Sequence, residues 1–138
     1  MRLALIAGLL LGLSLSQTAP TAAGEAIGYT IEVSDVTARV GEKTIMHITL
    51  RPHAGYRILE AYNNRLSRFS SLDGKVAFDR PVVQPTIEND ALVFTVAVTP
   101  TASGPHPING VFRVGYIDSP TSMQMVSLPL IATVIGAE

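Results

Sequence analysis

A strict two-residue alternation of apolar side chains limits what this chain can fold into, and it is clearest between residues 91 and 100. The apolar residues of that stretch are Leu92, Phe94, Val96 and Val98. A period of two places alternate side chains on one face, so the stretch is predicted to be a half-buried β-strand that Pro100 ends. Beyond the apolar run at the N-terminus no window sustains a helical period, and the chain is therefore predicted to be all-β.

Further strand signals precede and follow this stretch. They cover residues 29–34, 36–40, 45–51, 55–59, 75–78, 108–118 and 123–135. The apolar phase slips at Asp35-Val36, which indicates either a β-bulge or a change of sheet. Residues 101–107 contain prolines and a glycine and are predicted to be a connection. Short strands separated by turns in about 110 residues are typical of an immunoglobulin-like β-sandwich, here of about seven strands in a single domain.

The first residues have the features of a secretory signal peptide. Arg2 precedes an uncharged run from Leu3 to Leu15, and small residues follow that run. A positive start, a short apolar run and a small-residue exit are the marks of such a peptide. The run is shorter than the roughly 20 apolar residues that cross a bilayer, so the mature chain is expected to have no membrane span.

The cleavage position is left open among three sites. Cleavage after Ser16, Ala23 or Gly24 satisfies the preference for small residues at the exit, and a retained N-terminal anchor is the alternative. We take residues 1–24 as the predicted signal peptide and residues 25–138 as the predicted domain. The expected location is the periplasm.

Composition excludes several classes of function. The chain contains no cysteine, so thiol chemistry, disulfide bonds and a lipid anchor on cysteine are all ruled out. Its formal net charge is −1, which provides no electrostatic footprint for nucleic acid.

The sequence offers no recognisable catalytic constellation. A Gly-x-Ser-x-Gly elbow, a His-Glu-x-x-His pair and a P-loop are all absent, and the three histidines have no metal-ligand spacing. His47 is predicted to lie on the solvent face of a strand, whereas His53 and His106 flank prolines and are predicted to be polar loop surface. The chain is therefore expected to be non-enzymatic and without a cofactor.

Two methionines support an alternative function. Met123 and Met125 fall on the same side of the last strand, and that side is predicted to face away from the core. Thioethers are soft ligands that select Cu(I), so a periplasmic copper-binding protein using Met123, Met125 and His47 is the alternative hypothesis. Methionine also fills gaps and lines adaptable contact surfaces, which favours a partner contact or a half-buried packing role over copper binding.

Two segments carry a resemblance to a known family. One is Gly55-Tyr56-Arg57-Ile58-Leu59, and the other is the closing hairpin Gly115-Tyr116-Ile117-Asp118-Ser119-Pro120-Thr121-Ser122. Together with the order of strands they resemble the N-terminal periplasmic domain of the thiol:disulfide interchange protein DsbD, an immunoglobulin-like sandwich that passes electrons to periplasmic partners. In that family the hairpin carries a Gly-Cys-x-Asp-x-x-x-Cys type loop. Here Tyr116 and Ser122 stand where the two cysteines would be.

The resemblance implies a scaffold that has lost its reaction, because neither a phenol nor a hydroxyl undergoes thiol–disulfide exchange. What it implies for this chain is a non-enzymatic binding or accessory domain that docks a periplasmic or membrane partner. The implied contact residues are Tyr56, Tyr116, Asp118 and Ser122, around the tip of the hairpin. For Tyr116 the alternative is a core aromatic with its hydroxyl at the rim, because its face continues that of Phe112 and Val114.

Overall fold

The computed structural model describes the backbone of residues 21–138 and the side chains of residues 26–138, and the described chain contains strands and no helix. The strands are β1 (Thr21–Ala26), β2 (Tyr29–Ser34), β3 (Val36–Arg39), β4 (Thr44–Pro52), β5 (Arg57–Ile58), β6 (Arg65–Ser71), β7 (Val76–Phe78), β8 (Val82–Val83), β9 (Thr86–Glu88), β10 (Ala91–Pro100), β11 (Gly104–Ser119) and β12 (Ser122–Ala137). These exceed the predicted number of about seven. β8 and β9 are too short to display an alternation of their own, and the apolar residues of β6, Leu66 and Phe69, are three positions apart.

The strands form two sheets that pack as a sandwich. Sheet A has the order β1-β2-β4-β10-β7, with β9 also paired to β10. Sheet B has the order β3-β12-β11-β6-β8, with β5 also paired to β11. The prediction of an all-β fold with two sheets is therefore confirmed.

The core lies between the sheets and follows from the alternation. In β4 and β10 the alternate residues are buried, and register pairs Ile48 with Phe94 and Met46 with Val96. Phe94 of sheet A meets Phe112 of sheet B edge to face, with ring centroids 5.3 Å apart. Each such large apolar side chain contributes roughly 1.5–3 kcal/mol when it leaves water. The odd members of β4, including His47, face solvent, as predicted for His47.

The phase slip at residue 35 is a change of sheet. β2 belongs to sheet A, where it pairs with β4, and β3 belongs to sheet B, where it runs parallel to β12 from the pair Val36–Val134. Asp35 lies at the crossing, and its Oδ1 accepts a hydrogen bond of 3.2 Å from the backbone N–H of Thr133. The slip in the apolar phase is therefore a change of sheet and not a β-bulge.

The predicted connection over residues 101–107 is wrong in its second half, because β11 begins at Gly104. Pro105 and Pro107 pair with Ile135 and Thr133 of β12 in an unbroken register. The carbonyl of Pro107 accepts a hydrogen bond from the N–H of Leu72, on the side away from β12. The nitrogen of Pro107 faces the same way, so the β11–β12 ladder loses no hydrogen bond to the prolines.

His106 is likewise not the polar surface residue that was predicted. Its side chain is 5% exposed, its Nδ1 lies 2.6 Å from Asp73 Oδ2, and its Nε2 lies 2.7 Å from the carbonyl oxygen of Ala102. Both ring nitrogens therefore face acceptors, an arrangement that a doubly protonated imidazolium satisfies. The Asp73 carboxylate, and after it the Ala102 carbonyl, raises the pKa of His106 above its ordinary value.

The predicted signal peptide falls mostly outside the described residues, which begin at Thr21. β1 pairs with β2 from Thr21–Ser34 to Ala26–Tyr29. Cleavage after Ser16 would leave β1 whole, whereas cleavage after Ala23 or Gly24 would remove part of it. The boundary between residues 24 and 25 stays a prediction. Within residues 21–138 no helix is long and apolar enough to cross a membrane.

Candidate functional site

Three tyrosines meet at the end of the sandwich that holds the β1–β2 turn and the loop after β4. The ring of Tyr116 stacks on that of Tyr56 at 5.1 Å and meets that of Tyr29 edge to face at 6.0 Å. Tyr29 is fully buried, Tyr116 is 6% exposed and Tyr56 is half-buried. The structure thus places Tyr116 in the core, and Tyr56 is the member of the cluster whose side chain stays partly exposed to solvent.

The β1–β2 turn closes over this cluster at Gly28. A β-carbon built at Gly28 would lie 2.3 Å from Cε1 of Tyr116, and Gly28 has a φ of +82°. Both the close approach and the left-handed backbone require glycine. The carbonyl of Gly28 also accepts a hydrogen bond of 3.1 Å from the N–H of His53, which ties the turn to the loop after β4.

Burial keeps the inner phenols protonated. The hydroxyl of Tyr29 donates a hydrogen bond to the carbonyl of Gly115. Burial, and then the neighbouring Tyr116, raises the pKa of Tyr29 well above its ordinary value. Burial also raises the pKa of Tyr116, with further contributions from Tyr56 and Asp118. At neutral pH these hydroxyls act as neutral donors and not as bases.

Sheet B has a gap beside Gly115 that a side chain fills. β5 pairs with Tyr116 and Ile117, β6 pairs with residues up to Arg113, and the chain between them leaves the ladder. Asn64 Oδ1 accepts a hydrogen bond of 2.8 Å from the N–H of Gly115, and Asn64 Nδ2 donates one of 3.0 Å to the carbonyl of Leu59. Asn64 is 7% exposed, so this amide takes the place of strand backbone in the interior. The pair Asn63-Asn64 is typical of a turn in sequence, and only the register of β11 shows the role of Asn64.

A surface groove of about 600 Å³ opens beside Tyr56. Its apolar lining is Pro52, Tyr56, Ile58, Leu59, Ala61, Ile87 and Ile117, and its charged lining is Arg57, Glu60 and Asp90. An apolar floor with a few charged groups at its border is the usual composition of a binding site. Tyr56 is predicted from the sequence, whereas Ile87 and Asp90 are not, because they come from β9 and the turn after it, some thirty residues away in the chain.

The four predicted contact residues are divided between this cluster and the hairpin tip. Tyr56 and Tyr116 stack, and the carboxylate of Asp118 is near enough to influence the pKa of Tyr116. Ser122 is half-buried and pairs with Ser119 at the tip. The cross-strand partner of Tyr116 is Gln124, so the two positions aligned with the family's cysteines do not pair with each other.

Two polar atoms at this end lack a hydrogen-bond partner among the described residues. They are Nε2 of His53 and Oδ1 of Asp118, and both atoms are buried. The ring of His53 lies 6.0 Å from that of Tyr56, beside the cluster. Buried polar atoms are normally satisfied, so these two atoms are exceptions among the described residues.

The residues of the copper hypothesis are not all brought together. Met123 and Met125 are 64% and 58% exposed on the outer face of sheet B, where they are predicted to be. His47 is exposed on the outer face of sheet A, on the other side of the sandwich. In the part of the chain whose side chains are described, no three His, Asp or Glu residues form a cluster that could hold a metal ion.

Comparisons with known proteins identify no family. No protein-family model matches the chain, and no curated protein matches it. Among solved structures, a family 123 glycoside hydrolase from Clostridium perfringens, whose structural analysis concerns glycolipid glycan hydrolysis, is weakly similar at 12% identity and a TM-score of 0.32. The likeness covers 74% of this chain and 22% of that chain. At this TM-score it carries no information about activity.

Proposed function

We propose that this chain is an exported, non-enzymatic binding domain that docks a protein partner through one end of the sandwich. We call this surface the docking end, and it consists of the groove beside Tyr56 together with the hairpin tip from Ser119 to Ser122. The observation that carries the proposal is the groove of about 600 Å³, whose apolar floor includes the exposed side of Tyr56. Tyrosine is enriched where proteins contact partners, because its ring supplies area and its hydroxyl a hydrogen bond.

Rigidity supports this role. Tyr56 is stacked on Tyr116, which is packed in turn against Tyr29 and the backbone of Gly28. A contact residue that is already fixed loses little conformational freedom on binding, and this improves affinity.

Binding is favoured over catalysis by the chemistry of the cluster. Burial raises the pKa of Tyr116, so its hydroxyl stays protonated at neutral pH and is a poor base or nucleophile. The groove floor is aliphatic apart from Tyr56. Such a surface suits recognition of an apolar segment of a partner.

The strand order supports an immunoglobulin-like assignment as part of the proposal. A segment that starts in sheet A and continues in sheet B, followed by a chain that passes several times between the two sheets, is compatible with that architecture. The resemblance to a DsbD N-terminal domain without its cysteines fits the same picture and, with the predicted signal peptide, favours a periplasmic partner.

The test compares substitutions of two isoleucines, of which Ile117 is half-buried in the groove and Ile45 is exposed on the opposite sheet. Ile117→Glu changes the groove, and Ile45→Glu changes an exposed isoleucine on the outer face of sheet A. Photo-crosslinking in periplasmic extract should join the wild type and Ile45→Glu to the same protein, and Ile117→Glu should lose that product. A product that persists in Ile117→Glu and in Tyr56→Ser would contradict the docking end. N-terminal sequencing of the exported protein checks the location and the cleavage site together.

A further inference from the structure

β12 has an open edge along most of its length. It pairs with β11 on one side throughout, but on the other side β3 covers only Val134 to Ala137. Just before β3 begins, Asp35 accepts a hydrogen bond from the backbone N–H of Thr133. From Ser122 to Ala132, β12 therefore has no second strand beside it among the described residues.

The backbone groups of alternate residues point to this open edge. Gly115 of β11 uses its N–H and carbonyl to bond Asn64 and Leu59, on the side away from β12. Gly115 and Met125 therefore form a non-hydrogen-bonded pair, and the N–H and carbonyl of Met125 face the open edge. Thr133 shows the same orientation, and the register between the two positions has no shift. Met123 and Ser127 consequently also point outward.

The edge lacks the usual protection against pairing with another chain. Natural edge strands carry charges or prolines that block such pairing, or they are covered by a helix or loop. Every residue from Ser119 to Ala137 is uncharged. Pro129 is the one residue of the open stretch that blocks strand pairing, because it has no N–H to donate outward. It leaves the segment from Ser122 to Leu128 available for pairing with another strand.

We propose that this edge pairs with the same edge of a second copy of the chain, antiparallel about a two-fold axis at Met125. In this register the N–H and carbonyl of Met125 bond those of the partner's Met125, and Met123 bonds Ser127 of the partner subunit. Each copy then donates from Met123, Met125 and Ser127, and Pro129 falls outside the bonded segment. Moving the axis to Ser127 would place the partner's Pro129 opposite Met125 and lose a donor, so the sequence selects this register.

A second copy is the occupant that the side chains fit best. An isologous interface must be self-complementary, and an uncharged edge meets itself without like charges across the axis. The side chains of Met123 and Met125 are 64% and 58% exposed in the single chain. In the pair they lie beside those of the other copy on the continuous outer face, where flexible thioethers adapt to one another.

This contact is separate from the docking end. The open edge lies on one side of β11, beyond β12, whereas Tyr56 and the groove lie on the other side, beyond β5. A dimer of this kind would leave both grooves accessible and present two of them to a partner.

Sedimentation velocity of the purified chain, from about 5 to 500 µM, should show a monomer converting to a dimer. Met125→Lys places two positive charges opposite each other across the axis and should raise the dissociation constant by about tenfold or more. Ile131→Lys introduces the same charge at a 70% exposed position beyond Pro129 and should leave the dissociation constant unchanged. A monomer at every concentration, or equal effects of the two lysines, would overturn the proposal.

A second pair of variants tests the backbone directly. Ser127→Pro removes an N–H that has no partner in the single chain and should weaken the dimer, whereas Ser127→Ala should not. Amide hydrogen exchange at Met123, Met125 and Ser127 should slow as the concentration rises, while that of Ile131 should not change. Exchange that is independent of concentration at all four amides would also overturn the proposal.

Discussion

Gly28 and Tyr116 are in direct contact, with the position of a β-carbon on Gly28 only 2.3 Å from Cε1 of the ring. The two residues belong to different sheets, so their contact joins the β1–β2 turn of sheet A to β11 of sheet B. It also fixes the ring on which Tyr56 stacks. The geometry of the docking end therefore depends on a residue that has no side chain.

Gly28→Ala should destabilise the fold by about 2–5 kcal/mol, because it adds left-handed backbone strain of about 1–2 kcal/mol to an overpacking cost of about 1–3 kcal/mol. Urea denaturation measures the free energy of unfolding. Gly41→Ala is the matched control, since Gly41 has a φ of +84° with nothing within 4 Å of its β-carbon position. It should show the strain alone. Equal losses in the two variants would mean that the contact with Tyr116 is not tight.

Asn64→Ala should cost roughly 1–3 kcal/mol of unfolding free energy, since the N–H of Gly115 would be buried without an acceptor. Asn63→Ala removes the same amide from an exposed neighbouring position and should stay within about 0.5 kcal/mol of wild type. Thermal and urea unfolding both report the difference. If Asn63→Ala proved the more damaging change, the proposed filling of the gap in sheet B would be wrong.

The stability of the protein should depend on pH through His106 and Asp73. The pKa of His106 is raised above its ordinary 6.5 by Asp73, so its contribution is complete below that pH and is lost as pH rises through the folded pKa. The pKa of Asp73 is lowered from its ordinary 3.8, chiefly by its hydrogen bond to His106. Its contribution is present above that value and is lost as pH falls through the folded pKa. Stability from this pair should thus be greatest between about pH 4 and 6.5.

The control for this pH dependence is a histidine on the surface. Melting temperatures measured from pH 5 to 9 should fall towards high pH in the wild type and in His47→Gln, whose position is exposed on sheet A. His106→Gln should remove most of that slope. A slope that survives in His106→Gln would assign the effect to other groups.

Gly136→Ala should disturb the interaction between His106 and Asp73 through the carbonyl of Ala102. A β-carbon on Gly136 would lie 2.1 Å from the carbonyl oxygen of Ala102, which is the acceptor for His106 Nε2. Relieving that overlap should cost about 1–3 kcal/mol and reduce the pH slope as well. Ala137→Ser, at the adjacent half-buried position, should alter neither property. Loss of stability with an unchanged slope would show that the carbonyl can move without affecting His106.

Much of the fold can be predicted from sequence because a strand with one buried face shows its pattern locally. β2, β4 and β10 each alternate over several residues, and the structure has them where they were predicted. The slip at Asp35 was also visible, since a change of sheet inverts the apolar phase. β8 and β9, of two and three residues, contain too little sequence to show a period.

The roles of Asn64 and His106 could not be predicted for a different reason. Asn64 bonds a residue 51 positions away, and His106 bonds one 33 positions away. A single sequence contains no signal for such pairings, and the local signs favoured a turn and a surface loop. The groove has the same origin, because the 52–61 segment meets Ile87 and Asp90 only in the folded chain.

The change of sheet at Asp35 has a consequence for how the molecule unfolds. Since β2 and β3 are one continuous segment shared by the two layers, disruption of one layer acts directly on the other. Loss of the first layer would pull the segment from beside β12 and uncover the second. The slowest-exchanging amides of both layers should therefore open together, in a single all-or-none event.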